Sequence, residues 1–227
     1  MCHLTCWSLR HSTGQIPPHR VKVIVETLQG IKIQRAADNE YVEATIVRLS
    51  VDDARTSIDN IWWNLPHVPV EKLSQEGDKH WPWAAIVQRY GIGVLKDCVA
   101  IRSKQGYIEG AVAYNFNAKS YLEPGQGCAY IDRISTAPRN RKRLVAQPSY
   151  KGVGSSLMYW VLKESYNAGL GGRIALESLP TPDTVKFYEA KGFQRTDLSQ
   201  PLDGLMDYEL PKVKAEEWLR REGDWSK

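Results

Sequence analysis

The segment from residue 128 to residue 162 decides the fold of this chain. Residues 128–135 read CAYIDRIS and residues 151–162 read KGVGSSLMYWVL. The first run is apolar and strand-like, and the second opens a helix with Val153, Leu157 and Val161 along one stripe. Glycines allow a phosphate to approach the backbone closely, and the free N–H groups at a helix start converge on one point. The order strand, glycine loop, helix therefore predicts an anion-binding site.

Two common nucleotide motifs do not fit this loop. A Walker loop needs Gly-x4-Gly-Lys-Ser/Thr, and a dinucleotide-binding fold needs a third glycine within a parallel βαβ unit. Residues 151–155 satisfy neither pattern. We therefore set both classes aside.

Downstream of residue 80 the pattern predicts alternating strands and helices. A helix is predicted at 83–90, opened by Pro82 and closed by Gly91, and Ser-Lys-Gln-Gly is the turn of an antiparallel hairpin. Gly192 ends the helix that starts at Thr181-Pro182. The predicted strands are 98–102, 107–114, 128–135, 173–179 and 205–210, and a charged helix is predicted at 214–221.

Upstream the pattern is weaker. Residues 31–35 alternate as in a half-buried strand, and Val21–Thr27 could form another strand. After Ala37, either Asp38 or Asn39 can cap a helix. Val42, Ile46 and Leu49 then follow at i, i+4 and i+7, a spacing that predicts a helix. Ser50 opens a second predicted helix, with Ile58, Ile61 and Trp62 on one face. We expect an extension at 1–30, one α+β domain at 31–211 and a charged helical tail at 212–227.

Composition places the chain among ordinary globular domains. It has 227 residues, 42% apolar and 25% charged, which excludes disorder, collagen and coiled coil as whole-chain descriptions. No stretch approaches the ~18–20 apolar residues of a membrane span, and the first twenty residues lack the apolar run of a secretory signal. We expect a cytoplasmic protein without a membrane partner.

The formal charge of +4 is too small to identify a nucleic-acid binder. The basic residues concentrate between Arg133 and Lys151, however, with no acidic residue among them. This concentration beside the glycine loop suits a polyphosphate nucleotide better than a long nucleic acid, and we expect no nucleic-acid partner.

The cysteines do not form a disulfide scaffold, since there are only four of them. Cys2 and Cys6, with His3 and His11 nearby, lack the tighter pairing and second ligand pair of a structural zinc site. An irregular leader is the simpler interpretation, and we expect no metal. Cys98 and Cys128 stand in apolar runs and are expected to be buried thiols.

Several of these segments resemble the GNAT acyl-CoA-dependent N-acyltransferases. YIDRISTAP (130–138) and YKGVGSSLMYWVLKES (150–165) are similar to motif A of that family. RIALESLPTPDTVKFYEAKGF (173–193) is similar to the strand and helix that follow, and IKIQRAADNE (31–40) to the opening strand and helix start. A bacterial subset with TAPWNR…YRGVG followed by GRVGLHSLP resembles the chain more closely. The specific part of the resemblance is residues 128–193.

The chain departs from the family pattern in four places. Ser149 replaces the usual first Gln or Arg of the loop motif, and Thr181 stands where many relatives have Asn. Glu177 stands where the closer subset has His. The segment Arg139–Gln147, between Pro138 and the loop, is longer than in the common motif.

The resemblance implies a mixed, mostly antiparallel central sheet with helices on both faces, and acetyl-CoA as co-substrate. The pantetheine would lie along Ile134, Ser135 and Thr136, where a bulge typically opens the strand edge. The pyrophosphate would rest on the N–H groups of the glycine loop, and guanidinium groups after Pro138 would meet the nucleotide end. The implied cofactor-binding residues are Ile134, Ser135, Thr136, Arg139, Arg141, Arg143, Lys151, Gly152, Val153, Gly154, Ser155 and Thr181. A solvated basic loop without a ligand is the alternative.

The resemblance also implies the catalytic groups. Tyr188 occupies the position of the family's general acid, and a phenol of pKa ~10 can donate a proton at neutral pH. Glu177 and Asp132 stand on strands that flank the cleft and are candidates for the general base. Each of these three residues also has a simpler interpretation. Tyr188 can be a packing residue, and the two carboxylates can be solvated or salt-bridged side chains. Positioning alone can also accelerate attack on a thioester.

We therefore expect an acyl group, most often acetyl, to be transferred from acyl-CoA to a primary amine. The alternative is a non-catalytic acyl-CoA-binding or nucleic-acid-interacting module that uses the basic 139–143 segment. A cluster of four tryptophans lines either an aromatic acceptor pocket or, in the simpler interpretation, a tryptophan-rich core. They are Trp62, Trp63, Trp81 and Trp83. The identity of the acceptor is left open between a small molecule and a protein amine. Whether the chain forms a homodimer is also left open.

Overall fold

A computed structural model describes residues 26–91, 96–196 and 204–222 of the chain. Within these residues the strands are β1 (Thr27–Arg35), β2 (Tyr41–Arg48), β3 (Lys96–Ser103), β4 (Ile108–Lys119), β5 (Gly127–Thr136), β6 (Tyr150–Lys151), β7 (Ile174–Ser178), β8 (Gln194–Arg195) and β9 (Met206–Leu210). They form one sheet in the order β6-β1-β2-β3-β4-β5-β7-β9-β8. Neighbouring strands are antiparallel except β5 and β7, which are parallel. The expected mixed, mostly antiparallel sheet is confirmed.

Helices cover both faces of this sheet. They are α1 (Val51–Asp53), which continues as a π-helical turn over Ala54–Asp59, α2 (Val70–Ser74), α3 (Trp83–Tyr90), α4 (Val153–Asn167), α5 (Pro182–Glu189) and α6 (Lys212–Glu222). Leu157, Tyr188 and Trp218, from α4, α5 and α6, share one core with the sheet. Ile58 and Trp83 belong to a second core on the opposite face. The sheet therefore separates two apolar layers, as an α+β fold requires.

The helix predicted after Asn39 is wrong, because residues 41–48 form β2. Asn39 has a left-handed backbone with φ of 62° and turns the chain back on β1, so the two strands form a hairpin. Ala44 and Ile46 are buried in the first core, with Val42 packed beside them. A spacing of four residues fits one face of a helix and also one face of a strand, so the pattern did not discriminate. The β-branched residues of this segment favour the strand.

Most of the other predicted elements are confirmed. Ser50 caps α1 by accepting a hydrogen bond of 3.0 Å from the Asp53 N–H, and Pro82 precedes α3. The hairpin β3–β4, the strands β5, β7 and β9, and the helices α4 and α5 all occur where expected. Neither α2 nor β6, which pairs with β1, is predicted by the sequence pattern. Residues 21–25 of the suggested first strand lie outside the described residues, and Thr27 belongs to β1.

The charged helix near the C-terminus packs into the first core. Its Ala215 and Trp218 are buried, and the Trp218 ring lies 6.1 Å from that of Tyr159 on α4. Although its sequence is mostly charged, one stripe of this helix is apolar. Residues 212–222 are therefore part of the packed structure.

Candidate functional site

The two parallel strands β5 and β7 separate after a short paired stretch. They pair only through Ala129–Ile131 and Ile174–Leu176, although β5 continues to Thr136. Against β4, the register passes from Ala113–Arg133 to Tyr114–Ile131, so that Asp132 is an extra residue on β5. An extra residue of this kind is a β-bulge, which bends the strand that contains it. A cleft therefore opens between the two strands, with Asp132 at the bulge.

Helix α4 begins beside this cleft. Gly152 has a left-handed backbone with φ of 75°, which glycine adopts without the strain that a Cβ adds. Among the described residues, no side chain caps the helix at this position. The first N–H groups of a helix have no partner within the helix. Because the first turn of α4 contains no acidic residue, nothing there opposes a negative charge.

The glycine loop, the end of β5 and helix α5 meet at one place. A Cβ built on Gly154 would lie 3.5 Å from Thr136 Cγ2 and 3.9 Å from Phe187 Cζ. Lys151 donates a hydrogen bond of 2.7 Å to Asn39 Oδ1. Thr181 caps α5 by accepting the Thr184 N–H. Ile134 and Thr136 lie on β5 beyond its last pair with β7, and Val153 and Ser155 stand in the first turn of α4.

Tyr188 is buried on α5, with 7% of its surface exposed. Burial raises the pKa of its phenol to about 12, while a hydrogen bond with the Ser178 side chain at the end of β7 opposes the rise. The phenol therefore stays protonated at neutral pH, as a proton donor must. The sequence pattern did not indicate Ser178 as its partner.

The two candidate bases each lie beside a tyrosine. The hydroxyl of Tyr130 is within hydrogen-bonding reach of Glu177, and burial together with this carboxylate raises the pKa of Tyr130. Burial and the charge of Asp132, which is also within reach, raise the pKa of Tyr90 on α3. Asp132 also accepts a hydrogen bond of 3.0 Å from its neighbour Arg133, whereas Glu177 is exposed on β7. Neither tyrosine was predicted, because their partners are distant in sequence.

The arginines predicted to meet phosphates are paired with carboxylates of the chain. Arg139 contacts the buried Glu109, with its Nη2 3.0 Å from the carboxylate. Arg141 pairs with both Glu76 and Asp78, and Arg143 pairs with Glu76 at 2.5 Å. The side chain of Arg141 is 7% exposed, whereas that of Arg143 is 62% exposed. Binding of a nucleotide by these arginines stays a prediction. The structure adds their pairing with Glu76, Asp78 and Glu109, which the sequence did not predict.

The four tryptophans between residues 62 and 83 differ in burial. Trp62 and Trp83 are buried in the second core with ring centroids 6.5 Å apart, as the simpler interpretation expects. Trp81 and Trp63 are only partly buried, and each stacks with an arginine, Trp81 with Arg133 and Trp63 with Arg141. Cys98 and Cys128 are buried free thiols, as predicted.

Within the described residues, no group of three or more His, Cys, Asp or Glu side chains is arranged to hold a metal ion. Cys2, His3, Cys6 and His11 lie outside those residues. A search of the described helices for one long and apolar enough to cross a membrane finds none.

Comparison with solved structures identifies the fold. The GNAT domain of S. lividans PAT superposes with a TM-score of 0.52 at 19% identity, over 79% of this chain and 95% of that domain. A bacterial toxin superposes with a TM-score of 0.53 at 11% identity, over 80% of this chain and 97% of the toxin. No protein-family model matches the chain, and a search of curated proteins finds no match. The chain has the GNAT fold.

Proposed function

We propose that this chain transfers an acyl group, most often acetyl, from acyl-CoA to a primary amine. The observation that supports this function is the cleft between β5 and β7, which opens beside the start of α4. A thioester with a long pantetheine arm and a pyrophosphate suits this site, because the cleft accepts an extended chain and the helix start accepts an anion.

The proposed phosphate contacts are the backbone N–H groups of residues 151–155, helped by the positive charge of Lys151. The pantetheine arm would run along Ile134–Thr136, which lie beyond the last pair of β5 with β7. Thr181 lies at the start of α5. Among the arginines, Arg143 is the most exposed and is the one we expect to reach the nucleotide end.

The reaction needs a base and an acid. A Lys-type amine has a pKa of about 10.4, so it must lose a proton before it attacks the thioester carbon. Glu177 and Asp132 are the proposed bases, directly or through water. When the carbon–sulfur bond breaks, the electron pair leaves on sulfur, and Tyr188 donates its proton to that thiolate. The proton that the attacking nitrogen loses on becoming an amide returns, directly or through water, to Tyr188 and restores the phenol. The products are an amide and a thiol.

Isothermal titration calorimetry with acetyl-CoA and with CoA tests the binding step. We expect both to bind, and we expect Gly154→Leu to abolish binding because the larger side chain covers the helix N–H groups. Gly30→Leu is the matched control, since Gly30 is on β1 and a Cβ there meets nothing within 4 Å in the part of the chain that the structure describes. Absence of binding to the folded wild-type protein would refute the proposal.

A thiol-release assay over a panel of amines tests the chemical step. Glu177→Gln and Asp132→Asn are compared, and the variant that lowers kcat without changing the affinity for acetyl-CoA identifies the base. If acetyl-CoA binds but no amine in the panel produces thiol, the chain is an acyl-CoA-binding module.

A further inference from the structure

A loop of three residues, Glu76, Gly77 and Asp78, touches both strands that separate at the cleft. Asp78 accepts a hydrogen bond from the Ser135 hydroxyl on β5. Gly77 lies against Leu179, the residue after β7, since a Cβ built on Gly77 would be 3.0 Å from Leu179 Cδ1. We call these residues the 76–78 loop. Ile134 packs on the first core with α4, so the next residue on β5, Ser135, and the loop bonded to it lie on the opposite face of the sheet. The loop therefore spans the opening between β5 and β7 on the face opposite α4.

Two arginines hold the 76–78 loop in place. Arg141 pairs with Glu76 and contacts Asp78 with its Nη1 2.8 Å from Oδ1, and its Nε donates 3.0 Å to the Thr136 carbonyl. Arg143 adds a second pair with Glu76. Burial alone would raise the pKa of Asp78, but the hydrogen bond and charge of Arg141 hold it below its usual range. The loop is therefore fixed by charged contacts from within the chain.

The arginines belong to the segment Arg139–Gln147, which is longer than in the common family motif. Leu144 of this segment is buried against Val68 and Leu73, with Val145 beside them, so the segment is anchored on α2. The Arg141 guanidinium also stacks on Trp63, 5.3 Å from the ring centroid. The long segment thus positions the 76–78 loop.

We propose that the 76–78 loop restricts the cleft to short acyl groups, with Gly77 and Leu179 as the residues that set the limit. The inference rests on the proposed function. An arm that enters between β5 and β7 from the α4 side brings its acyl group out on the opposite face, beneath this loop. There a Cβ added to Gly77 would lie 3.0 Å from Leu179 Cδ1, a close contact that is relieved only when the Leu179 side chain shifts. A longer acyl chain has to displace one of the two residues.

Calorimetric binding of CoA, acetyl-CoA and hexanoyl-CoA tests the limit without need of an acceptor. For the wild type we expect hexanoyl-CoA to bind at least about tenfold more weakly than acetyl-CoA. Leu179→Ala should reduce this ratio to below about threefold and leave the affinity for CoA unchanged. Leu179 is 47% exposed, so its loss is compatible with folding. Val213→Ala, an exposed apolar residue on α6, is the matched control and should keep the wild-type ratio.

A double-mutant cycle tests whether the two residues act together. Gly77→Ala should weaken hexanoyl-CoA further, and Leu179→Ala in the same chain should remove that extra loss. Equal affinity of the wild type for hexanoyl-CoA and acetyl-CoA would overturn the inference and leave the proposed function standing, as would an unchanged ratio in Leu179→Ala. Failure of CoA and acetyl-CoA themselves to bind would overturn both the inference and the proposed function.

Discussion

Tyr188 is surrounded by aromatic rings that control the state of its phenol. The centroids of Phe187, Phe193 and Tyr208 lie 5.3 to 5.5 Å from its ring. A phenolate in this setting would lose its hydration, so burial raises the pKa to about 12. The packing and the proposed acid role are therefore compatible, because the same rings that bury the side chain keep its proton in place.

Replacement of Tyr188 by Phe separates these two roles. We expect kcat for amine acylation to fall by ~10²–10⁴-fold, because the thiolate loses its proton donor. The affinity for acetyl-CoA, measured by calorimetry, should stay within about twofold, since the ring is kept. Equal losses of kcat and affinity would contradict the acid role and leave Tyr188 as a packing residue.

Arg141 is the residue whose loss we expect to be most costly among the site arginines. Arg141→Met leaves Glu76 and Asp78 with less positive charge in a buried setting, which costs ~3–5 kcal/mol of the free energy of unfolding. Arg143→Met is the control and should cost clearly less, since its side chain is mostly exposed and Glu76 keeps its pair with Arg141. Urea unfolding measures both, and similar losses would contradict the assignment.

The ion pairs of Glu76 and Asp78 with the arginines predict that the free energy of unfolding depends on pH. Burial favours the protonated form of Glu76, but Arg143 and Arg141 hold its pKa, like that of Asp78, below the usual range. Because both folded-state pKa values are lowered, the stabilisation is present above the ordinary carboxyl pKa of about 4 and is lost as the pH falls through the lowered values. The difference in unfolding free energy between wild type and Arg141→Met should therefore shrink in acid.

At the scale of elements, the start of α4 depends on one backbone conformation. Gly152 is the residue before the helix and has a positive φ, and a Cβ there would meet no atom of the described residues within 4 Å. The need for glycine at this position is therefore conformational and not steric. Any other residue must adopt the left-handed region to keep the start of α4 in this conformation.

Gly152→Ala measures that conformational cost. We expect a loss of ~1–2 kcal/mol in the free energy of unfolding from urea titration. Gly30→Ala is the matched control, because it also meets empty space but lies on β1 without a positive φ. It should be neutral or slightly stabilising, since glycine weakens a strand by ~0.5–1 kcal/mol relative to alanine. Equal effects at the two glycines would show that φ is not the cause.

At the scale of the whole molecule, the C-terminal helix closes the first core. Trp218 on α6 is 2% exposed and lies beside Tyr159 on α4, while Ala215 fits against Gly172, where an added Cβ would be 2.8 Å from the Ala215 Cβ. The helix that carries the proposed phosphate site is thus supported by residues far downstream.

Removal of the Trp218 side chain tests this dependence. Trp218→Ala should cost ~3–5 kcal/mol of unfolding free energy, the usual loss for a large buried aromatic residue. Val213→Ala on the exposed face of the same helix should change it by less than about 0.5 kcal/mol. A loss of under about 1 kcal/mol for Trp218→Ala would show that α6 is dispensable for the fold.

The sequence by itself determined the segments whose identity depends on neighbouring residues. The glycine loop before α4, the caps Ser50 and Thr181, and the hairpin β3–β4 each depend on residues within a few positions, so local patterns predicted them. Only the tertiary structure decided whether residues 41–48 are a strand, because their spacing fits both periods and pairing with β1 and β3 settles the matter. It also decided that Arg141 faces Glu76 and Asp78, more than sixty residues away. A guanidinium group attracts any carboxylate, and only the folded chain determines which carboxylates lie within reach of Arg141.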